Sequence, residues 1–535
     1  MSITIVLLGI TGVLLAFVAR PFIRYFQDPK GFRKYPNQNL LSGVTGMAYN
    51  WEFARNHAPG QFHTRRLHEA LKKQPVIRVG PNHLSFGRSR AVKDIYGYAS
   101  PCNKGNIYGE LNVGGKHLVN ITSRALHSSR RRMVATAYAP KNIEMWEPGI
   151  LDITATLVRK MDALCTTPLA PGAVPRKEDL TFDGNYWGML YAFDCAIRVG
   201  MTTNVNFVAQ GADLIEIEID GTNGKKETVS LLDCLRSGTR ANSTLVWDLE
   251  NFQMLKKLTR KLIPWYRKNW AASDRYTMII KKLIKDRVER HEKGEVFDDL
   301  LQPMITDKKT GGIPDISTPD LIAECEQMVN GGGDAPGISL VNTLYYLVKN
   351  PAAMTRLKAE LDAALLPADE VATWAKTKSL PYLRACIDES MRLSPPVATD
   401  LARRTPPGQS HVVDGCLIPG DTNVSISSFT AHRDPDIFPD PEAFKPERWL
   451  VAEGEDREKL REMLTVYMPF SAGSRSCIGR NVAMLVQNVF VATLVHNYEF
   501  ALTSPDWEFT WVDYFNLWPD ELPLKIWKRE FPEKA

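Results

Sequence analysis

The chain has no C-x-x-C pair, and no two of its 8 cysteines lie closer than Cys165 to Cys195 or Cys386 to Cys416. That excludes the usual zinc knuckle and the thioredoxin-type site, and the Cys content is too low for a disulfide scaffold. Reduced thiols in a cytosol-facing protein are expected. Charge of one sign is also lacking. Lys plus Arg number 66 and Asp plus Glu 61, giving +5 over 535 residues, too mild a balance to indicate nucleic acid as a partner. There is no internal repeat and no low-complexity tract. Apolar content of 44% and charged content of 24% exclude disorder, collagen and coiled coil.

Long apolar runs are absent except at the start, from Ile3 to Ala19, broken only by Thr4, Gly9, Thr11 and Gly12. At helical rise it spans about 25 Å, close to a thin endoplasmic reticulum bilayer. Arg20, Arg24, Lys30, Arg33 and Lys34 follow, against one Asp28, which places the bulk of the chain on the cytosolic side. A basic n-region and a small-x-small cleavage site are missing, unlike a signal peptide. The expected organisation is a membrane anchor over 1–20, a basic linker over 21–36 ending in a hinge at Lys34-Tyr35-Pro36, and one catalytic domain over 37–535.

Helical spacing dominates that domain: Tyr186 to Val199, Asp274 to Lys293, Thr318 to Lys349, Ala352 to Leu365 and Tyr382 to Leu393. Strand-like pieces occur at Val76–Val79 and Thr422–Ser427, and a polar strand-like stretch runs from Ile215 to Thr228 around Asp220-Gly221. The expected fold is mainly α with small β-sheets, plus one N-terminal transmembrane helix.

The most informative stretch is Phe470-Ser471-Ala472-Gly473-Ser474-Arg475-Ser476-Cys477-Ile478-Gly479, which fits F-x-x-G-x-R-x-C-x-G at all its fixed positions. A cysteine thiolate is a strong axial ligand for haem iron and favours O–O cleavage. Cys477 stands just ahead of an apolar helical run, Val482 to Leu494, whose N-terminus favours an anion. Gly473 and Gly479 allow the backbone close to a flat ring, Arg475 suits a propionate, and Phe470 can cover the sulfur.

On these residues the chain resembles the cytochrome P450 family, in its membrane-anchored, reductase-dependent kind. The resemblance covers nearly the whole chain and is strongest from Thr318 onward. It implies the cytochrome P450 fold, haem b (iron protoporphyrin IX) with Cys477 as the axial iron ligand, and NADPH only indirectly, through NADPH-cytochrome P450 reductase. It also implies single-pass residence in the endoplasmic reticulum membrane with a cytosolic catalytic domain. Among three E-x-x-R matches, Glu389-Ser390-Met391-Arg392 has the family's context, followed by Pro446-Glu447-Arg448-Trp449, so Glu389, Arg392 and Arg448 are the expected buried network. His127 and Arg131 resemble the family's W-x-x-x-R pair, and Arg403 another propionate ligand. Arg130 and Arg132 face either an acidic reductase or solvent.

One departure stands out. Where the family has an acid followed by threonine in the oxygen-activating helix, this chain reads Gly331-Gly332-Gly333-Asp334-Ala335-Pro336. The acid is kept and the hydroxyl is lost. Pro336 cannot donate to the Gly332 carbonyl, so a kink there and a water on that carbonyl are expected. Two outcomes stay open. Asp334 with ordered water supports insertion of one oxygen atom from O2, or the product arises by oxidative coupling, desaturation or ring closure without inserted oxygen. A non-turnover haem-binding protein and a reductase-independent enzyme are the further alternatives. The resemblance implies substrate contacts within Tyr98–Thr122, Leu231–Trp247, Val397–Leu401 and Asp513–Leu517, a mixture that suits a lipophilic small molecule. Leu262-Ile263-Pro264-Trp265-Tyr266 suits either a membrane interface or a core edge. The segments around His432 and Pro446 look like filamentous fungal enzymes of secondary metabolism.

Overall fold

The helix Thr318–Lys349 runs through the middle of the chain's main core. Ser317 starts it, its side chain accepting from the Asp320 backbone N–H, and Asn350-Pro351 ends it. Two of its glycines set how it packs. A Cβ on Gly333 would lie 2.4 Å from the Phe193 ring, and one on Gly337 would lie 2.6 Å from the Met189 sulfur. Spaced four apart, they share one face and let the helix Gly184–Met201 come close. This computed structural model describes residues 18–54, 63–111, 114–222, 224–306, 311–312, 314–450 and 455–531.

The other expected helices fall close to their sequence bounds: Gly184–Met201, Pro351–Ala364 and Pro381–Leu393. The helix expected from Asp274 starts earlier, as Pro264–Glu292, because Pro264 is preset for a first helical position. A five-stranded sheet packs beside the helices in the order Val76–Gly80, His83–Phe86, Asn423–Ser425, Arg403–Arg404, Asn103–Lys104. The polar stretch near Asp220-Gly221 is an antiparallel hairpin, Leu214–Glu218 with Lys226–Ser230. The mainly helical fold with small sheets is as the sequence reading has it.

The helix that carries Pro336 continues from Thr318 to Lys349 as one element, so the proline does not end it. The helix is buried on several sides, so packing holds it through the missing N–H. The segment taken as a linker over 21–36 is partly built into the core. Phe32 is buried, the Pro36 carbonyl accepts from the Arg78 backbone N–H at 2.8 Å, and the Arg78 guanidinium lies over the Phe32 ring. Residues 1–17 of the expected anchor lie outside the described residues. A helix occupies 18–27, and among the described residues no helix is long and apolar enough to cross a membrane.

The close approach at Gly333 makes a sign prediction. Gly to Ala inside a helix normally gains about 1 kcal/mol. Gly333→Ala should instead lower Tm, because overpacking costs about 1–3 kcal/mol. Gly331→Ala, whose Cβ would meet only the Gln327 amide at 3.2 Å, should leave Tm level or raised. Equal Tm shifts for the two, read by circular dichroism, would contradict the packing argument.

Candidate functional site

A cavity of about 480 Å³ lies under the central helix. One end is formed by the loop carrying Cys477. That loop turns sharply: Gly473 has φ +67, and a Cβ there would lie 2.1 Å from the Tyr96 carbonyl oxygen, so only glycine fits. The Cys477 backbone N–H donates to the Phe470 carbonyl at 2.8 Å, which closes the loop, and both residues line the cavity. Gly479 caps the helix Arg480–Asn497. The Cys477 side chain is exposed, but to the cavity it lines and not to bulk solvent. The surrounding protein pushes its thiol up, while the backbone N–H groups of Gly479 and Arg480 pull it down. A thiolate ligand would be stabilised by the same two N–H groups.

Around this end the protein gathers positive charge. Lys104, Arg131, Arg403, Arg475 and His127 all line the cavity. Among the described residues no ion pair involves the four basic side chains; their donors go to neutral oxygens. Lys104 Nζ donates to the carbonyls of Leu118 and Val119 at 2.8 and 2.6 Å. Arg475 donates to the Ile121 and Thr122 carbonyls and to Asn103 Oδ1. Arg131 donates to the Ser476 carbonyl at 2.8 Å, and Arg403 to the Tyr108 hydroxyl at 3.3 Å. Lys104 and Arg403 are direct cross-strand partners, a like-charge pairing that ordinarily destabilises a sheet. Burial first, then the neighbouring guanidinium groups of Arg403 and Arg475, hold Lys104 down to about 6. Burial, then Arg475 and Lys104, hold His127 down to about 3, and burial followed by Arg403 brings Arg475 to about 10.

Such a cluster is complete only with anions. The two propionates of the haem implied by the resemblance supply that charge, and the thiol at the same end supplies a metal donor. Gly479 agrees: a Cβ there would meet nothing nearer than the Cys477 sulfur at 3.9 Å, so it would project into the space beside the thiol. The residues present fit the group. Lys104 is the residue the sequence reading missed. It sits on a two-residue strand with no motif, and only the sheet register brings it to Arg403.

The expected Glu389 network is present, with both carboxylate oxygens paired. Arg392 donates to both Glu389 oxygens at 2.8 and 2.9 Å, and Arg448 Nε donates to Oε1 at 2.9 Å. Trp449 Nε1 and the Lys445 backbone N–H complete the carboxylate's partners. Arg392 also donates to the carbonyls of His432, Pro441 and Ala443, tying down the segment that leads to the cysteine loop. The Glu458–Arg461 match is an exposed surface pair. Arg130 faces no partner protein. It is buried, paired with Glu324 at 3.0 Å and Asp320 at 2.9 Å.

The central helix lines the cavity with Ala323, Gln327, Gly331, Ala335 and Ser339 at four-residue spacing, and with Gly332 and Pro336. Asp334 is a correction. It does not line the cavity. Its carboxylate is buried and accepts from Asn516 Nδ2 at 2.5 Å and Trp518 Nε1 at 2.8 Å, so it anchors the C-terminal hairpin Trp511–Tyr514 and Asn516–Pro519 to the helix. Its place beside Ala335 in sequence rotates it about 100° away around the helix. The nearest hydroxyl in the Ala335 row is Ser339, which donates to Gln487 Oε1 at 2.5 Å; both residues line the cavity. All four expected substrate segments contribute cavity walls, among them Leu118, Leu235, Val397 and Phe515. The helix Pro264–Glu292 adds Trp270, Ser273 and Tyr276, which the sequence reading did not place there.

Comparison with known proteins agrees with this geometry. A family model described as Cytochrome P450 matches residues 103–508. The chain is similar to cytochrome P450 monooxygenase AKT7 of Alternaria alternata, 26% identical over 87% of this chain and 83% of the relative. It is similar to cytochrome P450 monooxygenase hepC of Aspergillus oryzae at 28%, over 88% and 89%. It is also similar to cytochrome P450 monooxygenase dtxS2 of Metarhizium robertsii at 27%, over 98% and 94%. Among solved structures, the cytochrome P450DA heme domain superposes with a TM-score of 0.69 at 18% identity, over 88% of this chain and 93% of that one, which speaks to fold alone.

Removing the centre of the buried network tests its role. Glu389→Ala strands Arg392 and Arg448 without a counter-charge, which should cost about 3–5 kcal/mol and release the cofactor from the purified protein. Glu458→Ala should do neither. Normal haem content in Glu389→Ala would overturn the assignment.

Proposed function

The chain belongs to the cytochrome P450 family, and from that premise we propose that it is a haem-thiolate monooxygenase acting on a lipophilic secondary metabolite. The observation that carries this reading is the juxtaposition of the Cys477 thiol with an anion-free cluster of Lys104, Arg131, Arg403 and Arg475 at one end of a largely apolar cavity. Cys477 Sγ would bind the iron, and the four basic residues with His127 would hold the propionates of haem b. When bound, the haem supplies thiolate-ligated iron for oxygen activation. The apolar walls exclude water around the substrate.

Ala335 offers no proton and orients no water. Asp334 does not line the cavity, and one of its oxygens, Oδ2, is held by Asn516 and Trp518. The Ser339 hydroxyl proton is committed to Gln487. These observations favour a second reading at the same site: coupling, desaturation or ring closure, in which oxygen is not retained in the product.

NADPH-cytochrome P450 reductase is the proposed electron donor. Residues 1–20 are the proposed single-pass anchor in the endoplasmic reticulum membrane, with the catalytic domain from 37 onward on the cytosolic side. Exposed apolar side chains support a membrane-facing surface. Phe22, Ile23 and Phe26 lie on the helix at 18–27, and Leu258 and Leu262 lie on the helix Phe252–Leu262. The Arg24–Glu250 ion pair at 3.1 Å brings these two regions together, and Trp265 is exposed nearby in sequence.

Oxygen-18 labelling separates the two readings. The full chain would be expressed with a reductase in a host making candidate metabolites, under labelled O2. A product carrying one labelled oxygen is the expected result. A product lacking two hydrogens and carrying no label would replace insertion with the second reading. Undiminished turnover without reductase would contradict the proposed electron source.

A further inference from the structure

The C-terminal hairpin and the segment 396–401 meet along a joint in the cavity wall. Pro396, Val397 and Leu401 line the cavity on one side of it, and Tyr514, Phe515 and Asn516 on the other. The Leu517 backbone N–H donates to the Pro396 carbonyl at 2.8 Å, and Leu517 packs with Ala398 in one apolar cluster. Each side carries a buried acid. Asp513 is the cross-strand partner of Leu517, and Asp400 bridges to Ser427. Asp513 Oδ2 accepts from the Thr64 backbone N–H at 3.3 Å and from the Thr64 hydroxyl. Among the described residues, neither Asp400 oxygen completes a hydrogen bond, although the Ser85 and Ser425 hydroxyls face it and Ser425 is already bonded to His83 Nε2 at 2.8 Å. The hairpin tip is strained. One residue, Phe515 with φ +85, joins the paired Tyr514 and Asn516, and its N–H faces the Asp513 carboxylate.

We propose that Asp400 and Asp513 form a proton-sensitive joint: while the pair keeps a proton the hairpin stays seated on the segment 396–401, and when both ionise their repulsion loosens the hairpin wall of the cavity. Burial raises each carboxyl to about 6, and the charge of Asp400 adds to the rise at Asp513. Tyr49, on the helix Met47–Ala54, senses both: burial and then Asp400 and Asp513 push its hydroxyl up. The other groups facing the pair do not titrate with it. Glu52 of the same helix is paired with Arg66 at 3.3 Å. Burial holds His63 down to about 3 and His83 to about 4, so both are neutral at pH 5 and above. Tyr96 faces Asp400 with Arg403 on its other side, in the basic cluster. A carboxyl raised in this way stabilises the seated hairpin fully below about pH 4, and that stability is lost as pH rises through about 6. The same hairpin holds Asp334 through Asn516 and Trp518, so its loosening reaches the central helix.

Hydrogen exchange of the full-length holoenzyme, read by mass spectrometry with labelling times scaled for the intrinsic effect of pH, follows residues 511–519 directly and needs no turnover. Their protection should fall about tenfold for each carboxyl between pH 5 and pH 7.5. The remote hairpin Leu214–Glu218 with Lys226–Ser230 should stay level. Asp400→Asn keeps the shape without the charge and should remove about half of that fall on a logarithmic scale. Asp400→Asn together with Asp513→Asn, whose amide oxygen can still accept from Thr64, should remove nearly all of it. Equal protection at the two pH values in the unmodified protein overturns the inference whatever the variants do. So does a fall that survives the double substitution, or one that the remote hairpin shares.

Discussion

The structure turns on uncompensated positive charge beneath its central helix. Lys104 and Arg403 face each other across two antiparallel strands, with Arg131 and Arg475 arriving from a helix and from the cysteine loop. Left alone, this arrangement is costly: buried cations repel, and their hydrogen bonds end on neutral carbonyls. The two propionates of a haem would give these cations anionic partners, so binding of that group would stabilise the fold.

Glu389 shows the opposite solution. It too gathers buried guanidinium groups, but each has its carboxylate and its carbonyls within the protein. That closed network needs no ligand and holds the chain that enters the cysteine loop. One cluster is complete from the start and serves as scaffold. The other is incomplete and serves as a binding site. The difference lies in the presence or absence of an acidic partner, not in burial.

Much of this was legible in the sequence where a motif fixes spacing along the chain. Cys477, Arg475, Gly473 and the Glu389-Arg392 pair carry their geometry locally, and the helices followed from apolar periodicity. What failed were statements about direction around a helix. Asp334 neighbours Ala335 in sequence, but one residue is about 100° of rotation, and the hairpin holding Asn516 and Trp518 comes from the far end of the chain. Gly333 and Gly337 carried no signal of their packing role, and each is a contact point for another helix. Lys104 had no signal at all, because its role depends on pairing across about three hundred residues. Long-range register is the part that one-dimensional reading does not supply.

The most direct measurement is the carbon-monoxide difference spectrum of the reduced, full-length protein beside that of Cys477→Ser. The account predicts a thiolate-ligated haem signature in the first and its loss in the second. A thiolate signature that persists without Cys477, or haem bound in the unmodified chain with a nitrogen-ligand spectrum, would contradict it.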